Sequence, residues 1–368
     1  MNLAKGMKIL FLSDAKSYHT KRWVDYFVDR GHQCFLVSLE KGIPTKAEEF
    51  FIESKILPPY LKYALSVRKV RRIIKKTKPD LVNAHFVPNY GLIGALLRQS
   101  PLVVSTWGSD ILISPQKSFL HKLRAKYILK KADLITTDAK ILTQTILDLG
   151  IEGKRVVENP MGVDKNLVFE YEKKRFDFSY WEEKKNFVIL SNRRLEPVYD
   201  VITLLKTVPL VIKQAQKSVK FVIVGEGSQK HRLIKFTRDL NVGKYVEFKG
   251  ELSQKDLLDC YFDSDIYVST SLSDSTSVSL LEAMALGLIP IVTGIPGNRE
   301  WIEDKKNGFL FPISDHQALA KQIIYAINEF TDWIDFREKN VSLIKKKAIW
   351  EDNMKVVERE FLKLVGRD

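Results

Sequence analysis

The sequence predicts two doubly wound α/β domains, and three observations lead to that fold class. The chain has 368 residues, which is long enough for two domains with full hydrophobic cores. Short runs of β-branched and aromatic residues alternate with amphipathic stretches, as parallel βαβ units require. The alternation starts again near Phe187, after a charged and poorly periodic stretch at 165–185. We therefore expect a first domain over 1–168, a second over 185–349, and a linker between them.

The first domain opens with a predicted βαβ unit. Met7–Ser13 is the first strand, Tyr18–Arg30 the helix after it, and Gln33–Leu39 the second strand. The first turn lacks the G-x-G-x-x-G fingerprint of dinucleotide binding, which argues against a NAD-type dehydrogenase. Because ligands bind at the carboxyl ends of parallel strands, His19 and Arg22 in this turn are candidate site residues.

Two later strands of this domain end in polar loops. The strands are expected at Asp80–Ala84 and Leu102–Ser105, and the loops at His85–Gly91 and Thr106–Asp110. Both loops lie at carboxyl ends of strands, so we expect them to face the same cleft as His19. The remaining predicted elements are a strand at Asp133–Thr137 and a helix at Ala139–Leu149.

The basic charge is concentrated in the first half of the chain. Residues 1–160 contain 27 Lys and Arg against 14 Asp and Glu, whereas the remainder contains 32 against 31. Two predicted helices, within 61–78 and 117–131, contain no acidic residue. We expect each to pack its apolar side on the sheet and to turn its basic side towards anionic lipid headgroups, where each Lys or Arg contributes about 1 kcal/mol. An anionic membrane surface is therefore a predicted partner.

Cysteine usage and hydropathy bear on the compartment. Cys34 and Cys260 lie in apolar contexts and are expected to be buried free thiols, as in a reducing compartment. No stretch approaches the ~18 consecutive apolar residues of a spanning helix, and the first apolar run reads as a strand without a signal-peptide cleavage site. With the basic first half, these features predict a cytoplasmic protein held peripherally at the inner face of the cell membrane.

The stretch Asp265–Val292 reads as a strand end, a polar loop, a helix and a second strand. The loop, Ser271–Ser277, consists of hydroxyl-bearing and acidic residues with one Leu, which favours a helix cap. A helix N-terminus binds phosphate through its free N–H groups and partial positive charge. Asp274 precedes the helix and Glu282 lies about a turn inside it, so both are placed to accept hydrogen bonds from hydroxyls beside a phosphate. A sugar–diphosphate–ribose molecule has that arrangement; the alternative is an ordinary capped helix with two solvated acids.

The residues of this stretch resemble the E-x(7)-E signature of the family 4 retaining glycosyltransferases, which have the GT-B fold. The segment Leu281-Glu-Ala-Met-Ala-Leu-Gly-Leu-Ile-Pro290 carries the resemblance, and Asp274 replaces the first Glu. Upstream, Arg194-Leu195 resembles the G-R-L-x-x-x-K-G segment of the family, with Tyr199 at the Lys position. The resemblance covers most of the chain and is strongest from about Arg194 to Pro312.

The resemblance implies a donor site on the second domain. Glu282 would hold the ribose hydroxyls and Asp274 those of the donor sugar. Arg194, helped by Arg193, would stabilise the charge of the leaving diphosphate. The other implied donor contacts lie in loops at the same edge: Tyr199, Gly225, Gly227, Lys249, Ser275, Thr276, Ser277 and Val278.

The resemblance also implies an acceptor site on the first domain. The run Ser13–Trp23 resembles the acceptor-side loop of some family members, which makes His19 a candidate catalytic residue and Arg22 an acceptor contact. The other implied acceptor contacts are His85, Trp107 and Asp110. The last helix, within 350–368, is expected to cross back onto the first domain, as in the family.

These implications predict a retaining hexosyltransferase. It would move a sugar from a nucleoside diphosphate donor, expected to be a UDP-sugar, to a hydroxyl of a lipid-linked or saccharide acceptor in cell-surface polysaccharide synthesis. No metal or other cofactor is expected. A nucleotide-sugar 2-epimerase of the same fold is the first alternative, although it should carry more acid–base His and Glu. A basic nucleic-acid-binding protein, suggested by the net positive charge, is the second. Nucleic acid is nevertheless not an expected partner, because the basic residues lie on helices without interleaved stacking aromatics.

Overall fold

The computed structural model describes residues 6–53, 59–97, 99, 101–153, 155–173, 184–329 and 334–367. The chain divides into two compact units. Unit 1 contains Met1–Pro160 and Asp352–Asp368, and unit 2 contains Met161–Glu351. The division falls shortly before the expected end of the first domain at 168, and residues 174–183 of the expected linker lie outside the described residues.

Unit 1 is built on seven parallel strands in the order β3-β2-β1-β4-β5-β6-β7. In this register Leu10 of the first strand pairs with Phe35 on one side and Val82 on the other. The strand order reverses between β1 and β4, which opens a crevice at their carboxyl ends. The strands are β1 Lys8–Leu12, β2 Gln33–Ser38, β3 Glu48–Phe51, β4 Leu81–His85, β5 Leu102–Ser105, β6 Leu134–Thr137 and β7 Arg155–Glu158.

Helices connect these strands and cover the sheet. Their buried faces and the strands form an apolar core that includes Val70, Ile93 and Ile128. The helices are α1 Tyr18–Asp29, α2 Pro59–Thr77, α3 Leu92–Leu97, α4 Ser109–Leu112, α5 Phe119–Lys131 and α6 Lys140–Asp148, with a π-helical turn at Phe86–Gly91 and a 3₁₀ turn at Ser114–Lys117.

Unit 2 is built on six parallel strands in the order β10-β9-β8-β11-β12-β13. Its strand order reverses between β8 and β11, which pair through Ile189 opposite Ile266. Apolar clusters lie in this unit around Phe221 and around Leu280. The strands are β8 Asn186–Asn192, β9 Ser218–Val224, β10 Val246–Gly250, β11 Ile266–Ser269, β12 Ile289–Thr293 and β13 Phe309–Phe311.

The remaining helices follow the strands of unit 2 and end the chain. They are α7 Lys165–Lys173, α8 Val201–Gln214, α9 Lys230–Asp239, α10 Gln254–Phe262, α11 Val278–Ala285, α12 Pro296–Arg299, α13 His316–Asn328, α14 Ile334–Lys347 and α15 Trp350–Leu364, with 3₁₀ turns at Pro197–Tyr199 and Gly243–Tyr245.

The last helix, α15, returns to unit 1, which confirms the expectation. Its Glu358 accepts hydrogen bonds from Tyr26 at 3.1 Å and from Arg30 at 3.1 Å, and its Oε1 lies 2.9 Å from Nε2 of His32. The ring of Phe361 stacks on that of Phe27 with centroids 5.2 Å apart. An ion cluster and a stacked aromatic pair therefore hold the end of the chain to α1.

Several expectations about single elements need correction. The segment after β4 is a π-helical turn rather than an open loop, and β3 and α14 were not expected. The apolar side chains of α5 do not all face the sheet: Phe119 and Leu120 are exposed, and the helix buries Ala125 and Ile128 instead. The first of these exposed residues follows the cap Ser118 directly, in the opening turn of the helix.

Two further features of the described residues are the state of the cysteines and the hydropathy of the helices. Cys34 and Cys260 are buried free thiols, as expected, and burial raises the pKa of Cys34 to about 12. Within the described part of the chain, no helix is both long and apolar enough to cross a lipid bilayer.

Candidate functional site

Two loops meet at the point of unit 2 where the strand order reverses. One follows β8 and the other follows β11. The backbone N–H of Leu272 donates to the carbonyl of Val198 at 2.8 Å, and the hydroxyl of Thr270 donates to the carbonyl of Tyr199 at 2.8 Å. These bonds fix the loops against each other, at the edge of the sheet where α/β proteins bind ligands.

Arg193 links the two loops through its guanidinium. Its Nη2 forms an ion pair with Asp274, and its Nη1 donates to the hydroxyls of Ser277 and Ser279. The guanidinium carbon also lies 4.3 Å from the ring centroid of Tyr199, within cation–π range. Burial opposes the charge of Arg193, but Asp274 together with Tyr267 and Tyr199 more than offsets it, so the pKa of the guanidinium lies above its ordinary value.

Asp274 has protein partners on both carboxylate oxygens. Oδ2 pairs with Arg193, and Oδ1 accepts the backbone N–H of Ser275 at 3.0 Å. A glycine behind the loop permits this geometry, since a Cβ on Gly297 would lie 2.1 Å from the carbonyl oxygen of Ser275. The ion pair with Arg193 was not anticipated, because Asp274 was expected to face only the donor sugar.

The polar residues after Asp274 lead directly into α11. Ser275, Thr276 and Ser277 are buried and Val278 is half-buried. Ser277 caps the helix, accepting the N–H of Leu280 at 3.4 Å. This N-terminus therefore carries the partial positive charge of the helix dipole beside the Arg193–Asp274 pair.

Glu282 is held in place from below by a buried tyrosine. The hydroxyl of Tyr261 donates to Oε2 of Glu282 at 2.9 Å, and the amide of Asn192 donates to the same hydroxyl at 3.2 Å. Burial and the neighbouring Glu282 raise the pKa of Tyr261 well above its ordinary value, so its hydroxyl remains a donor. Glu282 itself is half-buried. No sequence pattern indicated Tyr261 as a partner, because it lies on a different helix, α10.

The other predicted donor residues also lie at the carboxyl edge of the sheet of unit 2, but they differ in how far they are exposed to solvent. The side chain of Arg194 is 76% exposed, and its nearest recorded carboxylate oxygen, on Glu196, is 3.9 Å away. Gly225 has φ 132°, and a Cβ there would lie 2.2 Å from the carbonyl oxygen of Arg193, so the turn requires glycine. Gly227 passes the backbone of Leu195 in the same turn, and Lys249, at the end of β10, has its ammonium 3.9 Å from Glu247.

In unit 1 the strand order reverses between β1 and β4, and neutral side chains at the carboxyl ends of these strands form a series of hydrogen bonds. Nε2 of His85 lies 2.7 Å from Oδ1 of Asn83, whose amide nitrogen donates to Ser105 at 2.9 Å. The Asn83 oxygen must therefore accept, which places the His85 proton on Nε2. Nδ1 of His85 then accepts from the hydroxyl of Ser13 at 3.1 Å, and Ser13 lies 2.7 Å from the hydroxyl of Thr20.

His85 is enclosed, which corrects the expectation that it contacts substrate directly. It is 1% exposed, and the rings of Trp23 and Trp107 lie 5.1 and 4.9 Å from its own. Burial, with a smaller contribution from His19, lowers the pKa of His85 to about 3, so the ring is neutral. With both nitrogens bound inside the protein, His85 supports the residues around it.

Asp110 is likewise a buried support and not an exposed acceptor contact. It is 0% exposed, its Oδ2 accepts the N–H of Val87 at 3.0 Å, and its Oδ1 accepts the N–H of Trp107 at 3.0 Å. Burial raises the pKa of Asp110 to about 6, against the opposing effect of these backbone donors. The carboxyl therefore ties the π-helical turn to the loop after β5.

Three predicted acceptor-side residues, His19, Arg22 and Trp107, remain partly accessible near these buried hydrogen bonds. His19 lies in the first turn of α1, and its ring packs edge-on against Trp107 with centroids 5.6 Å apart. Both are half-buried, as is Arg22 one turn along the helix. The roles of His19, Arg22 and Trp107 towards an acceptor stay predictions.

No metal-binding cluster was found in the described part of the chain: no three His, Cys, Asp or Glu side chains are grouped so as to hold an ion. The positive charges at the edge of unit 2 include those of Arg193, Arg194 and Lys249 and the partial charge at the N-terminus of α11.

Comparisons with known proteins give a consistent family. Residues 172–346 match the model of the glycosyl transferases group 1, and residues 8–139 match that of the glycosyl transferase 4-like family. The chain is 22% identical over 323 residues to N-acetyl-alpha-D-glucosaminyl L-malate synthase of Bacillus anthracis, a match that covers 82% of this chain and 81% of that protein.

Solved structures show the same fold at low identity. Sucrose-phosphate synthase of Thermosynechococcus elongatus superposes with a TM-score of 0.83 at 14% identity, over 98% of this chain and 100% of that one. The Anabaena protein HepE, solved in complex with UDP, superposes with a TM-score of 0.77 at 19% identity, over 97% and 100% of the two chains. The two parallel sheets, the returning helix and both family matches lead to one conclusion: the protein belongs to the group 1 glycosyltransferases of the GT-B fold and is a transferase enzyme.

Proposed function

We propose that this enzyme transfers a sugar from a UDP-sugar to a hydroxyl of a lipid-linked or saccharide acceptor, with retention of the anomeric configuration, in cell-surface glycan synthesis. The observation that carries the proposal is the cluster at the N-terminus of α11. There Arg193 binds both Asp274 and the capping Ser277, and Glu282 is held by Tyr261 one turn away. The HepE complex with UDP supports uracil as the base.

The charges of this cluster indicate which residues would bind each part of the nucleotide-sugar donor. The Arg193–Asp274 pair carries no net charge, so the diphosphate is attracted by the exposed Arg194 and by the N–H groups at the start of α11. Glu282, fixed by Tyr261, accepts hydrogen bonds from the ribose hydroxyls. Asp274 accepts from the donor sugar with the lone pairs that Arg193 and Ser275 leave unused.

The reaction proposed at this site exchanges one bond for another at the anomeric carbon. The bond from that carbon to the diphosphate breaks, and a bond to the acceptor oxygen forms on the same face of the sugar. The acceptor proton passes to the leaving diphosphate, so no protein base is consumed. Arg194 and the helix end stabilise the charge that develops on the leaving group, and the proposal requires no metal ion.

The acceptor end is assigned to unit 1, at the edge that holds His19 and Trp107. The excess of basic residues in the first half favours an acceptor displayed at an anionic surface. We place the reaction at the cytoplasmic face of the cell membrane, where a lipid-linked acceptor presents its hydroxyl.

A transfer assay with a matched pair of variants tests this function. Purified enzyme is incubated with labelled UDP-sugars and a membrane lipid extract, and both released UDP and labelled lipid are measured. Glu282→Gln removes the charged acceptor of the ribose bonds and should lower kcat/KM by about 10–100-fold. Glu338→Gln, an exposed position on α14, makes the same chemical change elsewhere in unit 2 and should have no effect.

Two results would count against the proposal. If the Glu282→Gln variant turned over as fast as wild type, Glu282 would not bind the donor. Conversion of the UDP-sugar without any acceptor, and without transfer, would instead indicate the 2-epimerase.

A further inference from the structure

An apolar stripe runs along the exposed side of α5. Phe119, Leu120, Leu123 and Tyr127 are 72%, 74%, 45% and 40% exposed, and they fall at helical spacings that bring them to one side. Scattered exposed leucines are ordinary on a protein surface, whereas a contiguous group rimmed by polar residues marks an interaction site. The opposite side of the helix packs normally, through Ala125, Ile128 and Leu129.

Along α5 and the segment before it, the charged residues that border the stripe are all positive, and the exposed Asp148 of α6 lies across a groove from Phe119 and Lys122. Between Ile111 and Ala132 the sequence has six Lys and Arg and no Asp or Glu. Lys117, Lys122 and Lys130 are exposed. In the part of the chain that the structure describes, no carboxylate forms an ion pair with a cation of α5.

Helix α2 differs from α5 because several of its Lys and Arg side chains bind other groups of the protein. Lys62 pairs with Glu40, Lys76 with Glu48, and Arg71 donates to the carbonyl of Leu96. Among its described residues, α2 also exposes only two large apolar side chains, Leu61 and Leu65, whereas α5 exposes four. Helix α5 is therefore the stronger candidate for an external contact.

The position of α5 relates the stripe to the functional edge of unit 1. The helix precedes β6, which runs parallel to β5, so α5 runs antiparallel to both strands. Its first turn, with Phe119 and Leu120, therefore lies near the carboxyl edge of the sheet. A groove of about 530 Å³ lies beside this turn, and its lining is mixed: Ile111, Pro115 and Leu149 are apolar, whereas Gln116, Thr145 and Asp148 are polar.

We propose that the side of α5 formed by Phe119, Leu120, Leu123 and Tyr127 inserts into the interface of an anionic lipid bilayer, with Lys117, Lys122 and Lys130 on the headgroups. This inference rests on the proposed function in one respect, since it assigns the surface that brings the enzyme to a lipid-linked acceptor. An aromatic and aliphatic face bordered by lysines is the composition of helices that lie in the membrane interface. A nucleic acid would satisfy the lysines but offers no apolar phase for Leu120 and Leu123.

Vesicle flotation with the full chain tests the proposal. Vesicles of phosphatidylcholine are compared with vesicles that also contain about 30 mol% phosphatidylglycerol. Wild type should float with the anionic vesicles. Phe119→Ala combined with Leu120→Ala should lower partitioning at least about ten-fold, because both side chains lose apolar burial. The matched control, Phe169→Ala with Ile313→Ala, truncates two exposed apolar residues of unit 2 and should leave partitioning unchanged.

A charge series separates insertion from simple attraction. Lys117→Gln, Lys122→Gln and Lys130→Gln together should lower partitioning about 100-fold. Lys213→Gln, Lys235→Gln and Lys255→Gln make the same change in net charge on exposed sites of unit 2 and should lower it no more than a few-fold. Equal losses from both triple variants would overturn the proposal, since net charge alone would then explain binding.

Three further results would overturn it: no flotation of wild type, gel retardation by nucleic acid that depends on Phe119, or a dimer in solution that Phe119→Ala dissociates. The change in thermal stability with UDP is measured on every variant. Flotation lost with the UDP response retained contradicts only the docking surface. Flotation retained without any response to UDP contradicts the proposed donor site instead.

Discussion

The pair of side chains that joins the carboxyl ends of β1 and β4 in unit 1 is neutral and almost fully buried, whereas the pair that joins the loops after β8 and β11 in unit 2 is charged and partly accessible. In unit 1, Ser13 and His85 are joined by a neutral hydrogen bond. In unit 2, Arg193 and Asp274 are joined by an ion pair. Both pairs occupy the point at which the strand order of their sheet reverses.

The difference matches what each edge is proposed to recognise. A nucleoside diphosphate brings a fixed negative charge, which a helix N-terminus and an arginine attract directly. An acceptor hydroxyl is neutral, so recognition rests on the shape of the pocket and on individual hydrogen bonds. His85 packs against Trp107 and is neutral, so its hydrogen bonds do not change with pH in the physiological range. It can therefore hold the neighbouring Trp107 and His19 in one arrangement for a neutral ligand.

The largest expected effect comes from breaking the charged pair of unit 2. The Arg193 and Asp274 side chains are only 9% and 19% exposed, so Arg193→Met leaves a carboxylate largely out of water. We expect the free energy of unfolding to fall by about 3 kcal/mol, and Asp274→Asn added to it to restore much of that loss. Urea denaturation of wild type, both single variants and the double variant measures the coupling.

The same cycle separates stability from function. The double variant should regain stability but not transfer activity, because both groups belong to the proposed donor site. Additive losses of stability would show that the ion pair is not coupled. Recovery of activity together with stability would reduce Arg193 and Asp274 to structural residues.

The second prediction concerns the neutral hydrogen bonds of unit 1 and pH. The pKa of His85 is about 3 in the folded protein and about 6.5 in an unfolded chain, so the unfolded state binds more protons between these values. His85 should therefore destabilise the folded state as pH falls below about 6.5, by up to about 1.4 kcal/mol per pH unit, while Asp110, whose pKa is raised to about 6, contributes with the opposite sign. Urea denaturation of wild type and His85→Gln from pH 7 to pH 4 isolates the His85 contribution, because the variant should lose less stability, or gain more, as the pH falls. An unchanged slope in the variant would show that His85 is not the titrating group.

Part of the fold could be predicted from the sequence, and part could not. The alternation of strands and helices depends on local periodicity and turn residues, so most elements and the two-domain division could be predicted. Strand β3 could not, because Glu48 and Glu49 have low strand propensity and its pairing with β2 is set by the sheet. The exposure of Phe119 and Leu120 was missed because an apolar stripe at helical spacing normally faces a core.

The site residues show the same limit. The segment around Glu282 is contiguous and has a recognisable pattern, so the donor loop could be located. The partners of its carboxylates could not, because Arg193 is 81 residues from Asp274 and Tyr261 is 21 residues from Glu282. His85 and Asp110 were expected to contact an acceptor because a polar residue after a strand gives no indication of its burial.

The third prediction, with the smallest effect, concerns the support beneath Glu282. Tyr261→Phe removes the hydroxyl that donates to Oε2 at 2.9 Å and keeps the ring. We expect the KM for the donor to rise about ten-fold with little change in kcat, because a bond to a charged group is lost in both the bound and the transition state. Steady-state kinetics with varied UDP-sugar measures the split.

Tyr245→Phe is the matched control for this change. It removes a tyrosine hydroxyl near the start of β10, in the same unit. A change in kcat alone for Tyr261→Phe, or equal effects of the two variants, would indicate that Tyr261 does not position Glu282 for the donor.

The most direct test of the donor site is a thermal-shift panel with UDP, GDP, ADP, CMP and uridine. A nucleotide at about 100 times its dissociation constant adds about 2.7 kcal/mol to the folded state, or about 5–10 °C in Tm for a unit of this size. We expect UDP to raise Tm by this amount. Uridine should have a much smaller effect because it lacks the diphosphate, and Glu282→Gln should reduce the response to UDP. No response to any nucleoside diphosphate, or equal responses to UDP and uridine, would contradict the assignment of the diphosphate to the N-terminus of α11.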